Sequence, residues 1–158
     1  MTSQKIVDLI SLKHLIARWR VKSNRIVFTN GCFDILHVGH LHTLKEALKL
    51  GDKLIVGINS DLSVKRLKGE ERPLINEHDR AELIASMAMV DAVVIFDEDT
   101  PLSLIKFAIP DVLVKGGDWR VEEIVGGEFV KQAGGEVVSI PFTSNQSSSQ
   151  IIQKIKNL

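Results

Sequence analysis

His37 and His40 stand three residues apart, with Gly39 between them, at the end of Thr29-Asn30-Gly31-Cys32-Phe33-Asp34-Ile35-Leu36-His37-Val38-Gly39-His40. Read along the chain, this stretch leaves an apolar run, crosses an Asn-Gly turn and enters a helix. At a helix start, a three-residue spacing brings both imidazoles to one side. Gly39 removes a side chain where an anion could approach backbone N–H groups, and the helix N-terminus adds positive partial charge. Such a set suits charge stabilisation on phosphate oxygens in a transition state. The plain alternative is that both histidines cap or pack the helix start, the usual lot of an isolated His-x-x-His. A zinc site using Cys32 or Asp34 with the two histidines is disfavoured by the tightness of the loop. Cys32 has no base-and-orienter set to make it a nucleophile.

The elements that must position these residues are legible in the hydropathy pattern. Ile26-Val27-Phe28, Leu54-Ile55-Val56, Val93-Val94-Ile95-Phe96, Val112-Leu113-Val114 and Val137-Val138-Ser139-Ile140 are branched apolar runs without polar alternation. That is the mark of strands covered on both faces. Helical stripes lie between them: Leu41 to Leu50, with Gly51 expected as a positive-φ terminator; Glu77 to Met89, capped by Asn76; and Pro101 to Phe107. Ile6 to Trp19 reads as an amphipathic helix on the core. The pattern predicts a doubly wound parallel α/β sheet of five strands. Ligands of such sheets bind beyond the carboxyl ends of the strands. This directs attention to the Thr29–Asp34 stretch, to Asn59-Ser60-Asp61 and to Lys115-Gly116-Gly117-Asp118. The paired glycines permit close backbone approach, and Asp118 can accept from a ribose or sugar hydroxyl, although Gly-Gly-Asp is also ordinary turn chemistry. Ser147-Ser148-Ser149 precedes an amphipathic helix and reads as an anion site at its start, or as a simple N-cap.

Composition narrows the function classes. The chain has 158 residues, 20 Lys+Arg against 20 Asp+Glu, and one cysteine. Zero formal charge argues against a dedicated nucleic-acid binder, and one cysteine excludes a disulfide framework or a multi-cysteine zinc site. No apolar stretch approaches the roughly 18 residues of a membrane helix. Met1 to Leu12 lacks the features of a secretion leader. The expectation is a single cytoplasmic domain over residues 1–158, with residues 1–24 forming an N-terminal helix packed on the core. Gly-x-Gly-x-x-Gly, Gly-Lys-Ser/Thr, Gly-x-Ser-x-Gly and His-Glu-x-x-His are all absent. His14, His42 and His78 are expected at the surface.

Thr29-Asn30-Gly31-Cys32-Phe33-Asp34 with His37-Val38-Gly39-His40 resembles the signature of the His-x-Gly-His nucleotidyltransferases, enzymes of Rossmann-like fold. Asn59-Ser60-Asp61 leading to Ser63-Val64-Lys65-Arg66-Leu67-Lys68-Gly69, Val114-Lys115-Gly116-Gly117-Asp118-Trp119 and Gly134-Gly135-Glu136-Val137 extend the likeness from about Arg25 to Ile155. Within that superfamily the chain looks like the bacterial heptose-1-phosphate adenylyltransferases. The resemblance implies transfer of AMP from ATP to a heptose 1-phosphate, giving ADP-heptose and pyrophosphate. It implies His37, His40 and Lys68 as catalytic groups. It implies nucleotide contacts from Thr29, Asn30, Gly31, Cys32, Phe33, His37, Gly39, His40, Lys115, Gly117, Asp118, Ser147, Ser148 and Ser149. Asp34, Asn59, Asp61, Lys65 and Arg72 would hold the sugar phosphate. Magnesium is implied as cofactor, carried mainly by the phosphates with Asp34 as the one protein candidate. A homodimer and a separate heptose kinase are implied as partners, with neither nucleic acid nor membrane. The Lys68-Gly69-Glu70-Glu71 stretch would form a loop that closes over substrates. Arg66 reads better as a solvated helix residue, and Trp119 either packs over a ligand or closes the core. Three serines replace the family's usual Ser-Thr-Thr, and Asn145-Gln146 stands where smaller or apolar residues are typical. Two rivals stay open: a cytidylyltransferase acting on glycerol 3-phosphate or a similar alcohol phosphate, and a non-catalytic nucleotide-binding regulator.

Overall fold

Strand β1 (Ile26–Gly31) is the centre of a sheet ordered β3-β2-β1-β4-β5, with β2 Lys53–Asn59, β3 Ala92–Phe96, β4 Val112–Gly116 and β5 Glu136–Ile140. Every pairing is parallel, as continuous apolar runs require. The computed structural model describes residues 4–142 and 147–158. Alternate residues of each strand feed separate cores. Ile26, Phe28, Ile55, Val94 and Leu113 point to one face, joined by Leu12, Ile16 and Trp19 of α1 (Leu9–Val21) and by Leu104 and Ile105 of α5 (Leu102–Ala108). Val27, Leu54, Val56, Ile58 and Val114 point to the other, covered by Leu44 and Ala47 of α2 (Val38–Leu48) and by Ala81, Ile84 and Ala85 of α4 (Glu77–Ala85). Helices on both faces make the sheet doubly wound, as predicted. Among the described residues no helix is long and apolar enough to cross a membrane.

Several local expectations change. Asn30 and Gly31 are not a turn; they continue β1 and pair with Gly57 and Ile58, so the loop begins at Cys32. Gly51 does not take positive φ. It is needed because a Cβ there would lie 2.6 Å from Val27 Cγ2 and 2.7 Å from the Arg25 carbonyl oxygen. Helix α2 begins at Val38 rather than Leu41, and α4 stops at Ala85, short of Met89. Helix α1 starts at Leu9, behind an Asp8 cap, because Ile6 bridges to Val93 at the sheet edge. Helices α3 (Asp61–Lys68) and α6 (Gly127–Gln132) were not marked as separate elements by periodicity. Helix α7 (Ser148–Lys156) closes the chain behind a capping box of Ser147 with Gln150. Asn145-Gln146 lies outside the described residues.

Candidate active site at the sheet switch point

The strand order reverses between β1 and β4, and beyond their carboxyl ends lies the switch point at which sheets of this kind bind ligands. The Cys32–His37 loop enters it from β1, and Lys115 to Asp118 enter from β4. His37 caps α2: its Nδ1 accepts from the Gly39 N–H at 3.1 Å. That bond leaves the proton of the neutral ring on Nε2, a donor available to a ligand. The ring therefore caps the helix through Nδ1, as the capping reading expects, and keeps Nε2 outside that bond. His40 lies against it, with ring centroids 3.9 Å apart and planes tilted by 31°. Phe33, buried and held at φ 51°, also packs on His40, with ring centroids 5.2 Å apart. Burial, the neighbouring His37 and Lys68 push the His40 pKa down to about 4, and its buried Nδ1 has no hydrogen-bond partner. Burial lowers His37 as well. Both shifts favour the neutral imidazole over the cation.

Positive charge comes from lysines. Lys115 is depressed by burial, and Lys68 repels it further. Its ammonium stands 5.7 Å from the Trp119 ring centre. Neither Lys68 nor Lys115 has a carboxylate partner among the described residues. These two ammoniums, without carboxylate partners among the described residues, give this end of the sheet a local positive charge. Lys65 is exposed on α3. Arg66, as expected for a solvated residue, pairs with Asp99 at 2.7 Å.

The carboxylates and amides assigned by resemblance to the sugar phosphate are placed differently. Asp34 is buried; it accepts from Arg72 Nε at 2.6 Å and from the Leu74 and Ile75 N–H groups at 2.8 and 2.9 Å. Burial raises its pKa, but the two amides and Arg72 outweigh this and hold it below the usual value. With both oxygens engaged it is a framework residue, which corrects its assignment to magnesium and sugar phosphate. Asn59 is buried, donates to Ser63 Oγ at 3.0 Å and receives the Cys32 thiol at 3.9 Å. Asp61 accepts from Arg80 Nη2 at 2.7 Å. Arg72 spends Nε on Asp34 and leaves a buried Nη2 without a partner.

The glycines after β4 also answer to the protein itself. A Cβ on Gly116 would lie 2.5 Å from Thr43 Oγ1 in α2. Gly117 has φ 117° and sits between Phe142 and Trp119. Trp119 is about half exposed and does not close the core. Asp118 is exposed, and Thr29 is buried in β1. Of the three serines, Ser147 is closed in the capping box and Ser148 donates to the Ile35 carbonyl at 3.2 Å, so only the Ser149 hydroxyl has no partner among the described residues. The second anion site is thus smaller than the sequence suggested. His14 and His78 are exposed, whereas His42 is half-buried. Among the described residues no group of three His, Cys, Asp or Glu side chains is arranged to hold a metal ion.

Arg80 escaped the sequence reading. It is fully buried and donates to the carbonyls of Cys32, Asn59 and Ile75 as well as to Asp61. It joins the β1 loop, the end of β2 and the start of α3 in one side chain. The available signal was an arginine four residues before Ile84, on the apolar stripe of α4.

Residues 28–154 match the cytidylyltransferase-like family model. The chain is 53% identical over 154 residues to the bifunctional protein HldE of Citrifermentans bemidjiense, covering 98% of this chain and 32% of that protein. It is 53% identical to HldE of Koribacter versatilis, over 95% of this chain and 31% of that one. The chain therefore spans about a third of the length of these curated relatives. Among solved structures, the lipopolysaccharide core biosynthesis protein of Thermoplasma volcanium superposes with a TM-score of 0.61 at 30% identity, covering 78% of this chain and 99% of that one. Pantoate-beta-alanine ligase of Francisella tularensis shares the fold, with a TM-score of 0.62 at 15% identity over 97% of this chain and 78% of its own. The paired histidines at a β1–α2 junction, on a sheet of this order and in a chain matched over most of its length, belong to a member of the cytidylyltransferase-like family.

Proposed function

We propose that the chain acts as one nucleotidyltransferase domain that transfers AMP from ATP to a heptose 1-phosphate, releasing pyrophosphate. The observation that carries this reading is the stacked, neutral His37–His40 pair at the α2 N-terminus beside two lysines without carboxylate partners. Likeness to HldE proteins and to a lipopolysaccharide core biosynthesis protein supports the sugar acceptor. A phosphate oxygen of the acceptor attacks the α-phosphorus; that O–P bond forms as the bond to the β-phosphate breaks, and the electron pair leaves on pyrophosphate. No protein nucleophile is required. His37 and His40 donate Nε2–H bonds to the reacting phosphate oxygens. Lys68 and Lys115 lower the cost of bringing two anions together. Backbone groups from Thr29 to Phe33, with Gly39, Gly117, Asp118 and Ser149, line the nucleotide's path.

The engaged oxygens of Asp34 do not fit a protein-held magnesium ion. Magnesium enters this reading as part of the substrate, MgATP. A kinase activity must supply the sugar 1-phosphate, the reaction belongs in the cytoplasm with its ATP, and light scattering should find a homodimer. The regulator alternative is not favoured, because it leaves the intact histidine pair without a task.

The test is pyrophosphate release with magnesium, crossing ATP and CTP with both heptose 1-phosphate anomers and glycerol 3-phosphate. Release with ATP and one heptose anomer is expected. Release with CTP and glycerol 3-phosphate alone transfers the protein to the cytidylyltransferase reading, and binding without release supports the regulator.

A further inference from the structure

The two outer strands of the sheet are finished differently. At β3, the Val93 N–H donates to the Lys5 carbonyl at 2.7 Å, and the Val93 carbonyl accepts from the Val7 N–H at 2.9 Å. The segment ahead of α1 thereby closes that edge. At β5 the Glu136 N–H donates to the Asp111 carbonyl, and the Ile140 carbonyl accepts from the Gly117 N–H, both at 2.8 Å. Backbone groups alternate sides along a strand, so Glu136, Val138 and Ile140 face β4 while Val137 and Ser139 turn their N–H and C=O groups outward. Among the described residues none of these outward groups has a hydrogen-bond partner. The strand also lacks the usual protections of a bare edge. Glu136–Ile140 contains no lysine, proline or glycine, and its one charge, Glu136, is taken up by Arg25 at 2.9 Å. Val137 and Val138 are only half-buried.

We infer that this edge is where a second copy of the chain pairs, β5 antiparallel to β5, joining two sheets into one about a two-fold axis at Val138. Symmetry selects the occupant. Val137 and Ser139 flank Val138 equally, so an axis there sets Val137 of each copy opposite Ser139 of the other and satisfies every outward N–H and C=O of both. Val138 then meets itself at the close, non-hydrogen-bonded position, where two β-branched side chains pack well. With 20 Lys+Arg against 20 Asp+Glu, no net charge drives the copies apart. The interface also reaches the candidate site. Ser139 Oγ donates to the Gly117 carbonyl at 2.7 Å and accepts from the Trp119 N–H at 3.3 Å, so fixing the Ser139 backbone steadies the loop after β4. Pairing goes beyond the proposed reaction and does not depend on it.

Sedimentation velocity of the whole chain over a dilution series tests the pairing. The wild type should sediment as a dimer. Val138→Lys and Val138→Glu each place a charge against its own copy, and each should raise the dimer dissociation constant about tenfold or more with circular dichroism unchanged. An equal mixture of the two variants should restore the dimer. A wild type that stays monomeric, charge variants that dimerise as it does, or a mixture no more associated than its parts overturns the inference. Where a charge variant fails to fold, Val138→Cys decides, because it keeps a small apolar side chain. Facing Cα atoms at such a position lie ~4.5 Å apart, within disulfide reach. Mild oxidation should then give a disulfide-linked dimer that the wild type, with Cys32 alone, does not form; no such dimer overturns pairing at Val138.

Discussion

Residue by residue, the fold opposes protonation of the two histidines. His40 is held at about 4, against an ordinary 6.5, by burial, by His37 and by Lys68. The unfolded chain therefore binds more protons than the folded one between these values, and stability falls as pH drops from 6.5 toward 4. The full effect is on the order of 3 kcal/mol or less, and His37 adds in the same direction. Urea unfolding at pH 7 and pH 5 should show the loss, and His40→Asn should flatten most of it. A triphosphate reverses the bias, so nucleotide binding near pH 5.5 should take up protons, measurable as a dependence of binding heat on buffer ionisation enthalpy. His37→Ala and His40→Ala should each reduce turnover roughly 100-fold or more while circular dichroism stays unchanged, as expected for lost transition-state donors. Near-normal turnover in both variants would refute the role. Arg80 belongs to the framework instead. Arg80→Met leaves three carbonyls and Asp61 unpaired, and should cost about 3–5 kcal/mol in chemical denaturation.

Between elements, one close approach brings α2, which carries the histidines, against the end of β4, which carries Lys115. Helix α2 approaches the end of β4 so closely that a Cβ on Gly116 would meet Thr43 Oγ1 at 2.5 Å and Cγ2 at 2.9 Å. Thr43 Oγ1 in turn donates to the Gly39 carbonyl, within the first turn that carries His40. Gly116→Ala should push α2 outward and lower kcat about tenfold or more, since small displacements of reacting groups are costly. Adding Thr43→Ala removes the two nearest atoms and should recover most of that loss. A double variant no better than the single one would show that the contact does not position the site. The sequence reading placed these glycines at the ligand. The structure shows that Gly116 first serves the approach of a helix to a strand.

The whole molecule is a scaffold that gathers loops from four strand ends at the reversal of the sheet. Its two cores are continuous, and α1 contributes to one of them through Leu12, Ile16 and Trp19. Trp19→Ala should cost about 3–5 kcal/mol by opening a cavity, with kcat unchanged in the fraction that remains folded. Stability and catalysis are separable at this scale, because Trp19 packs in the core on the face of the sheet opposite the one covered by α2, which carries the histidines.

What the sequence determined by itself was whatever depends on local pattern. Unbroken branched runs specified buried parallel strands, the histidine spacing at a helix start brought two imidazoles together, and Asn76 and Ser147 announced their helices by capping chemistry. Partners distant in the chain were decided only by the tertiary structure. Asp34 looks like a ligand until Arg72 and two amides some forty residues away take both of its oxygens. Gly51 looks like a helix terminator until Arg25 and Val27 are brought against it. Arg80 draws no attention in the local pattern until it is buried among three carbonyls. A side chain's type fixes which bonds it can make, but burial and the approach of remote segments decide which of them remain for a substrate.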